Sequence, residues 1–378
     1  MNIKDTTLLK GLGILLIITH NYMHWLPECV AENEYTFSVE RIDQLCAYLA
    51  QGGPHVLLNI LSHFGHYGVA IFLFLSGYGL VRKYESSEER EFGSLRAEKG
   101  KAAFLPSNIR ASAQFLLRHA VKLWRLMVPA VLLFVVMEMM QGTWNRPLSR
   151  LFPLLGFCSN LQPHRDLILG PWWWFGLMMQ FYLLWRLLLF RRGRWVLYLT
   201  MSVCVAVVLA VAWTERGQLD STGTLTCYLH YNFPPSMLAF GLGVADARYG
   251  LGWLHRWWSP LVGMAVLIVG SFNAGIWCVS SVGALMVAQA FVGRSGESKA
   301  QGNIVYVNLR QVLIFLGTIS AWLFALHPVV REYTIDLAKK GNDGLLYLSI
   351  VIYLGCSVLL AWVATGIAKS KKNKGRTQ

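Results

Sequence analysis

Titratable and hydroxyl side chains inside otherwise apolar runs are the residues of this chain that could do chemistry. Lys10 stands at the start of the first apolar run and His20 ten residues further on, about 15 Å along an α-helix. Histidine is the side chain best suited to moving a proton near neutral pH, and an ionisable group inside a membrane helix is costly enough to be a functional candidate. The bland alternatives are a lysine that snorkels to the membrane edge and a histidine bonded to a neighbouring helix. His24 is the serious rival to His20. A second group lies in FGHYGVAIFLFLSGYGLVRKY, Phe64 to Tyr84, where Ser76, Gly77 and Tyr84 interrupt a lipid-compatible helix. Small and hydroxylated residues at that depth are tolerated mainly where a helix faces a partner or a cavity.

Arg118, Lys122 and Arg125 are spaced by four and three, along one side of a helix. Such a row is either an anion cradle or a cytoplasmic anchor. In PWWWFGLMMQFYLLW, residues 171–185, Gln180 and Tyr182 interrupt an aromatic helix, and Trp172, Trp173 and Trp174 are placed as an interfacial belt. Gln180 needs a hydrogen-bond partner, which a neighbouring helix can supply. In LGTISAWLFALHPVV, residues 316–330, Ser320 and His327 lie two turns apart on nearly one face, with interhelical bonding as the structural alternative. The histidines at 55, 63, 66, 119, 164, 230 and 255 mostly flank apolar runs and read as surface or interface residues. The seven cysteines show no metal-ligand spacing, so no metal site is expected; Cys204, Cys278 and Cys356 sit in apolar runs as packing residues. Cys29 and Cys46 share one loop, where an oxidising compartment would allow a disulfide.

The elements that must position these groups are membrane helices. The 378 residues are 55% hydrophobic and 14% charged, with mean hydropathy +0.43, too apolar for a soluble protein. An all-α polytopic fold with about ten transmembrane helices is predicted, near 8–26, 67–84, 121–140, 171–190, 195–213, 228–247, 259–273, 275–292, 311–330 and 345–368. The first run follows Lys4 and Lys10 but has no small-residue cleavage site, so it is expected to remain. Residues 53–63 and 148–161 are apolar but short, and read as interfacial or re-entrant pieces on the outer side.

The net charge of +14 is uneven. Arg82, Lys83, Arg90, Arg96, Lys99, Lys101, Arg110 and Arg118 crowd one loop, Arg191, Arg192 and Arg194 another, and Lys369 to Arg376 the tail. Glu28, Glu32, Glu34, Glu40 and Asp43 crowd the loop after the first run, with Arg41 its only basic residue. The excess of Lys and Arg on cytoplasmic loops puts both termini, the loop at about 85–118 and the basic tail 369–378 inside. Charges beside membrane ends exclude nucleic acid as a partner and point to membrane lipids. With neither linker nor internal repeat, residues 1–378 read as a single domain.

Taken in order, Lys10 with His20, GVAIFLFLSGYGLVRKY, RHAVKLWRLMVP, WWWFGLMMQFYLL and LGTISAWLFALH resemble the acyltransferase 3 family of bacterial membrane O-acyltransferases over nearly the whole chain. Ser76-Gly77, six residues and Tyr84 match its SGxxxxxxY pattern without a gap. Nine residues separate Lys10 from His20 where the family has ten, and Lys122 begins the arginine motif. The resemblance implies a multi-pass enzyme of the bacterial cytoplasmic membrane that moves an acyl group, usually acetyl from acetyl-CoA, to a glycan hydroxyl. It implies His20 as the essential histidine, Lys10 as its basic partner, and Arg118, Lys122 and Arg125 as the cytoplasmic motif that holds the CoA phosphates. Acetyl-CoA is then a substrate rather than a permanently bound cofactor, and a surface or lipid-linked polysaccharide is the acceptor. Direct transfer is the simpler course, with Ser76 and Tyr84 the hydroxyls of a covalent one. A flippase of lipid-linked glycans and a non-catalytic membrane sensor are the rival readings.

Overall fold

The computed structural model describes residues 1–85, 106–162, 167–293, 304–340 and 342–374. His164, the loop charges at 86–105 and the end of the tail, 375–378, lie outside the described residues. Every regular element among the described residues is helical, as a backbone without water partners requires.

The chain opens with α1 (Ile3–Met23), whose start is fixed by a capping box: the Asn2 side chain accepts from the Asp5 amide at 2.8 Å and the Asp5 carboxylate accepts from the Asn2 amide at 3.0 Å. A looped segment with α2 (Val39–Gln51) leads to α3 (Val56–Phe64), which passes through one tight turn, Gly65–Tyr67, into α4 (Gly68–Leu80). After α5 (Pro106–Gln141) come short turns at Leu148–Arg150, Leu151–Leu155 and Ser159–Leu161. Then follow α6 (Trp173–Leu184), α7 (Arg194–Thr214), α8 (Phe233–Tyr249), α9 (Ser259–Phe272), α10 (Ser281–Ala288), α11 (Ile304–Ala338) and α12 (Asp343–Lys374).

Five segments are long and apolar enough to cross a membrane: Val56–Glu85, Ile109–Gln141, Arg194–Thr214, Val307–Ala338 and Asp343–Ser370. They contain the expected spans at 67–84, 121–140, 195–213, 311–330 and 345–368. The other five expected spans are helical too, in α1, α6, α8, α9 and α10, but shorter or more polar; α9 has 14 residues and α10 has 8. The polar ones lie inside the bundle: α1 packs against α11, α4 and α3, so His20 meets protein rather than lipid.

Two sequence expectations are corrected, and a cysteine pairing that the sequence left open is decided. Residues 53–63 do not form a separate re-entrant piece, because α3 runs on through α4 as one helical segment ending at Glu85. Trp172, Trp173 and Trp174 are not an interfacial belt: they are 1%, 3% and 9% exposed, and the Trp172 indole N–H donates to the Ala325 carbonyl of α11 at 3.0 Å. Cys29 and Cys46 are both free thiols, one buried and one exposed.

Helices meet closely where glycine allows it. A Cβ on Gly77 would strike the Phe240 carbonyl of α8, and one on Gly243 would strike the Phe74 carbonyl of α4. Gly77 therefore serves a reciprocal α4–α8 contact. Just beyond the C-terminal end of α4, the Glu85 carboxylate takes two bonds from the Arg248 guanidinium, which also donates to the Leu189 and Arg192 carbonyls. That clamp ties the ends of α4 and α8 to the turn after α6.

Candidate active site

His20 lies three residues before the end of α1 and is 2% exposed. Its Nδ1 donates to the Ser62 carbonyl of α3 at 2.7 Å. A carbonyl only accepts, so Nδ1 carries the proton and neutral His20 presents the lone pair of Nε2, the state a general base needs. Gly65 makes this approach possible: a Cβ there would stand 2.7 Å from both the His20 Cβ and the Leu16 carbonyl.

Nε2 faces Glu34, in the loop between α1 and α2, with Oε2 at 3.7 Å. That is too long for a hydrogen bond. Once Nε2 takes a proton, the carboxylate is placed to pair with the imidazolium. Burial alone would raise the Glu34 carboxyl; the neighbouring His20 imidazole and the Tyr35 hydrogen bond outweigh it and hold the group below its ordinary 4.5. His24 stacks on His20 at 4.7 Å between ring centroids, with its Nδ1 donating to the His20 carbonyl at 2.7 Å, and His66 meets the ring edge-on at 5.4 Å.

Two further features close the site. Tyr35 stacks on Tyr231 at 3.9 Å, and Trp173 stands edge-on to both, making an aromatic wall next to Glu34. Burial first, then the charge of Glu34, keeps the Tyr35 phenol well above its ordinary value, so it stays a neutral hydroxyl. Arg331 on α11 is 7% exposed. Among the described residues it makes one long hydrogen bond, 3.4 Å to the Asn21 carbonyl beside His20, and its guanidinium stands 3.9 Å from Glu332 and over the Trp25 ring. A buried cation with so few partners is costly, which suits a site that meets negative charge when occupied.

The other sequence candidates divide between a second cluster and structural duty. Tyr84 lies 3.4 Å from Nε2 of His119, and Tyr182 packs on the same ring at 4.3 Å. Lys122, Lys83 and Arg118 are within electrostatic reach of that imidazole. Lys10, Arg118, Lys122 and Arg125 are all exposed. Ser76 donates to the Phe72 carbonyl at 2.7 Å, one turn back in its own helix. Gln180 donates to Asn232 at 2.8 Å and accepts from the Phe233 amide at 3.0 Å, securing the start of α8. Ser320 donates to the Gly317 carbonyl at 3.0 Å; His327 is fully buried with Nδ1 donating to the Leu323 carbonyl at 3.0 Å and Nε2 without a partner among the described residues. The structure does not bring Ser320 or Gln180 to His20.

Sequence reasoning missed Glu34, Arg331 and the burial of His63, His66 and His119. Arg331 carried a signal, four residues after His327 on the same helical face. Glu34 carried none, since its loop position is set only by the packing of α1, α2 and α3.

No curated protein sequence and no solved structure matches the chain significantly. The profile of a family described as an acyltransferase domain matches residues 4–366, from the first turn of α1 to the last turns of α12. The chain therefore belongs to the acyltransferase 3 family.

Proposed function

We propose that this protein is a membrane O-acyltransferase that moves acetyl from acetyl-CoA to a hydroxyl of a surface or lipid-linked polysaccharide in the bacterial cytoplasmic membrane. The observation that carries the reading is His20: a buried imidazole with its tautomer fixed by the Ser62 carbonyl and Nε2 turned to the Glu34 carboxylate. The cation row of Lys83, Arg118 and Lys122 beside Tyr84, with Lys10 and Arg125, suits the phosphates of CoA at one membrane face, and a long thin donor suits the distance inward. The aromatic wall of Tyr35, Tyr231 and Trp173 suits a sugar ring, whose hydroxyl His20 then meets.

In the reaction, His20 Nε2 takes the acceptor hydroxyl proton as its oxygen bonds to the acyl carbon. Glu34 pairs with the imidazolium so formed, and Arg331 offers positive charge to the oxygen anion of the addition intermediate. The acyl carbon–sulfur bond breaks, and the proton ends on the thiol of released CoA. A flippase would need no such base and would leave acetyl-CoA untouched.

Cells with and without the protein provide the test. Mass spectrometry of their surface glycans is expected to lose one acetyl increment when the protein is absent, and membranes are expected to release CoA from acetyl-CoA only when it is present. Unchanged glycans together with no CoA release would contradict the reading. Loss of a larger increment would keep the transferase and replace the acyl group.

A further inference from the structure

One residue on from Ser62, whose carbonyl holds His20, stands a second acid–base constellation. Glu32, in the loop before α2, places Oε2 3.0 Å from Nδ1 of His63 in α3, and Nε2 of His63 stands 3.1 Å from the Ser271 hydroxyl near the end of α9. Glu32 is fixed in turn: its Oε1 accepts from Arg41 at 2.7 Å and from the Asn33 amide at 2.9 Å, while Arg41 also donates to the Thr36 carbonyl and hydroxyl. All three members are closed from solvent, with Glu32 7%, His63 5% and Ser271 9% exposed.

We infer that Ser271 is a nucleophile that carries the acyl group as an ester between donor and acceptor, with His63 as its base and Glu32 as the orienting acid. Nδ1 makes no aligned hydrogen bond, but the Glu32 charge 3.0 Å away favours a proton there over a lone pair, which in the neutral ring leaves the lone pair on Nε2. That lone pair needs a donor, and the Ser271 hydroxyl is the group in reach. Ser271 can also donate to the Leu267 carbonyl at 3.0 Å. The two bonds compete for the single hydroxyl proton, so the hydroxyl turns from Leu267 to His63 before it is activated. Nucleophile, base and acid thus stand in the order and at the distances that activated serines require.

The position of the constellation relates it to His20. Ser62 and His63 are consecutive: the Ser62 carbonyl holds His20 Nδ1, and the next side chain is the base of Ser271. His66, one turn on, packs against His20. Resting on the acetyl-CoA donor proposed above, but replacing the single displacement written there by two, the transfer has two halves. In the first, the Ser271 proton passes to His63 Nε2, Oγ bonds to the thioester carbon, the carbon–sulfur bond breaks, and His63 returns the proton to the departing thiolate. In the second, the acceptor hydroxyl gives its proton to His20, its oxygen bonds to the ester carbon, and the carbon–Oγ bond breaks with the proton returning to Ser271. Acyl transfer through a covalent ester lets donor and acceptor arrive at different times from opposite faces.

The test uses the full-length protein in detergent with two probes. Given radiolabelled acetyl-CoA and no glycan, the wild type is expected to gain acid-stable, hydroxylamine-labile label on the peptide containing Ser271. Ser271→Ala is expected to lose it, His63→Gln to slow labelling by about 10²-fold or more, and Ser271→Cys to retain label as a thioester, which separates chemistry from folding. A fluorophosphonate, which reports an activated serine whatever its substrate, is expected to label wild type and not Ser271→Ala. An unlabelled Ser271 in protein that is turning over acetyl-CoA, or wild-type transfer by Ser271→Ala, overturns the inference. So does failure of both probes. Fluorophosphonate labelling of Ser271 without consumption of acetyl-CoA leaves the nucleophile standing and overturns the donor assigned above.

Discussion

The Ser62 carbonyl decides what His20 can do, because it claims Nδ1 and leaves Nε2 for chemistry. Glu34 and Arg331 then act on opposite charges of one reaction, the imidazolium and the oxygen anion. Replacing Glu34 by Gln removes a charged partner worth about 1.5–3 kcal/mol, so acyl transfer is expected to fall roughly ten- to a hundredfold, read as CoA release from membranes. Arg331→Met is expected to cost a similar factor, with Arg331→Lys recovering part of it, since charge rather than the fork geometry is what the site uses. Glu34 also links the site to acidity. Its folded carboxyl lies below 4.5, so its contribution to stability is present above that value and lost as pH falls through the lowered one. Melting of wild type in detergent should therefore worsen on acidification below about pH 4.5 more than melting of Glu34→Gln does. His20 was legible from sequence because an ionisable group in an apolar run is rare and costly. Glu34 was not, because a carboxylate in an acidic loop looks like surface charge until folding carries it inward.

At the scale of elements, the site depends on how closely α3 lies on α1. Gly65→Ala would set a methyl against His20 and Leu16, pushing the Ser62 carbonyl off Nδ1. Overpacking of this kind costs about 1–3 kcal/mol, and activity is expected to fall further than the melting temperature does, because the tautomer is released. The Glu85–Arg248 clamp is a different case: it lies at the far end of α4, so Arg248→Ala is expected to lower the melting point while sparing kcat. The apolar runs announced most helices, but not their company. The three tryptophans matched an interfacial belt in composition, yet α6 lies inside and the indoles fill the core. Gln180 showed the reverse, a polar residue in an apolar helix whose partners at Asn232 and Phe233 are architectural. Amphipathic patterning distinguishes lipid from protein poorly, because both neighbours are apolar.

Across the whole molecule, family membership and the all-helical bundle followed from motif order and composition, while the number of crossings did not. Five helices meet the length and hydropathy of a span; of the shorter ones, α6 and α10 are largely covered by protein, whereas α9 leaves Leu261, Met264 and Phe272 exposed. The ten-crossing arrangement with both termini inside remains our proposal, and it places α2 outside. Cys46 is a free, exposed thiol on α2, so a membrane-impermeant maleimide is expected to label it on intact cells; labelling only after lysis would reverse the orientation. The proposed chemistry turns on one imidazole. The decisive measurement is acetyl transfer from labelled acetyl-CoA by membranes carrying His20→Ala, inserted at the wild-type level. The expected result is a loss of about 10²–10⁴-fold, and transfer at the wild-type rate would contradict it.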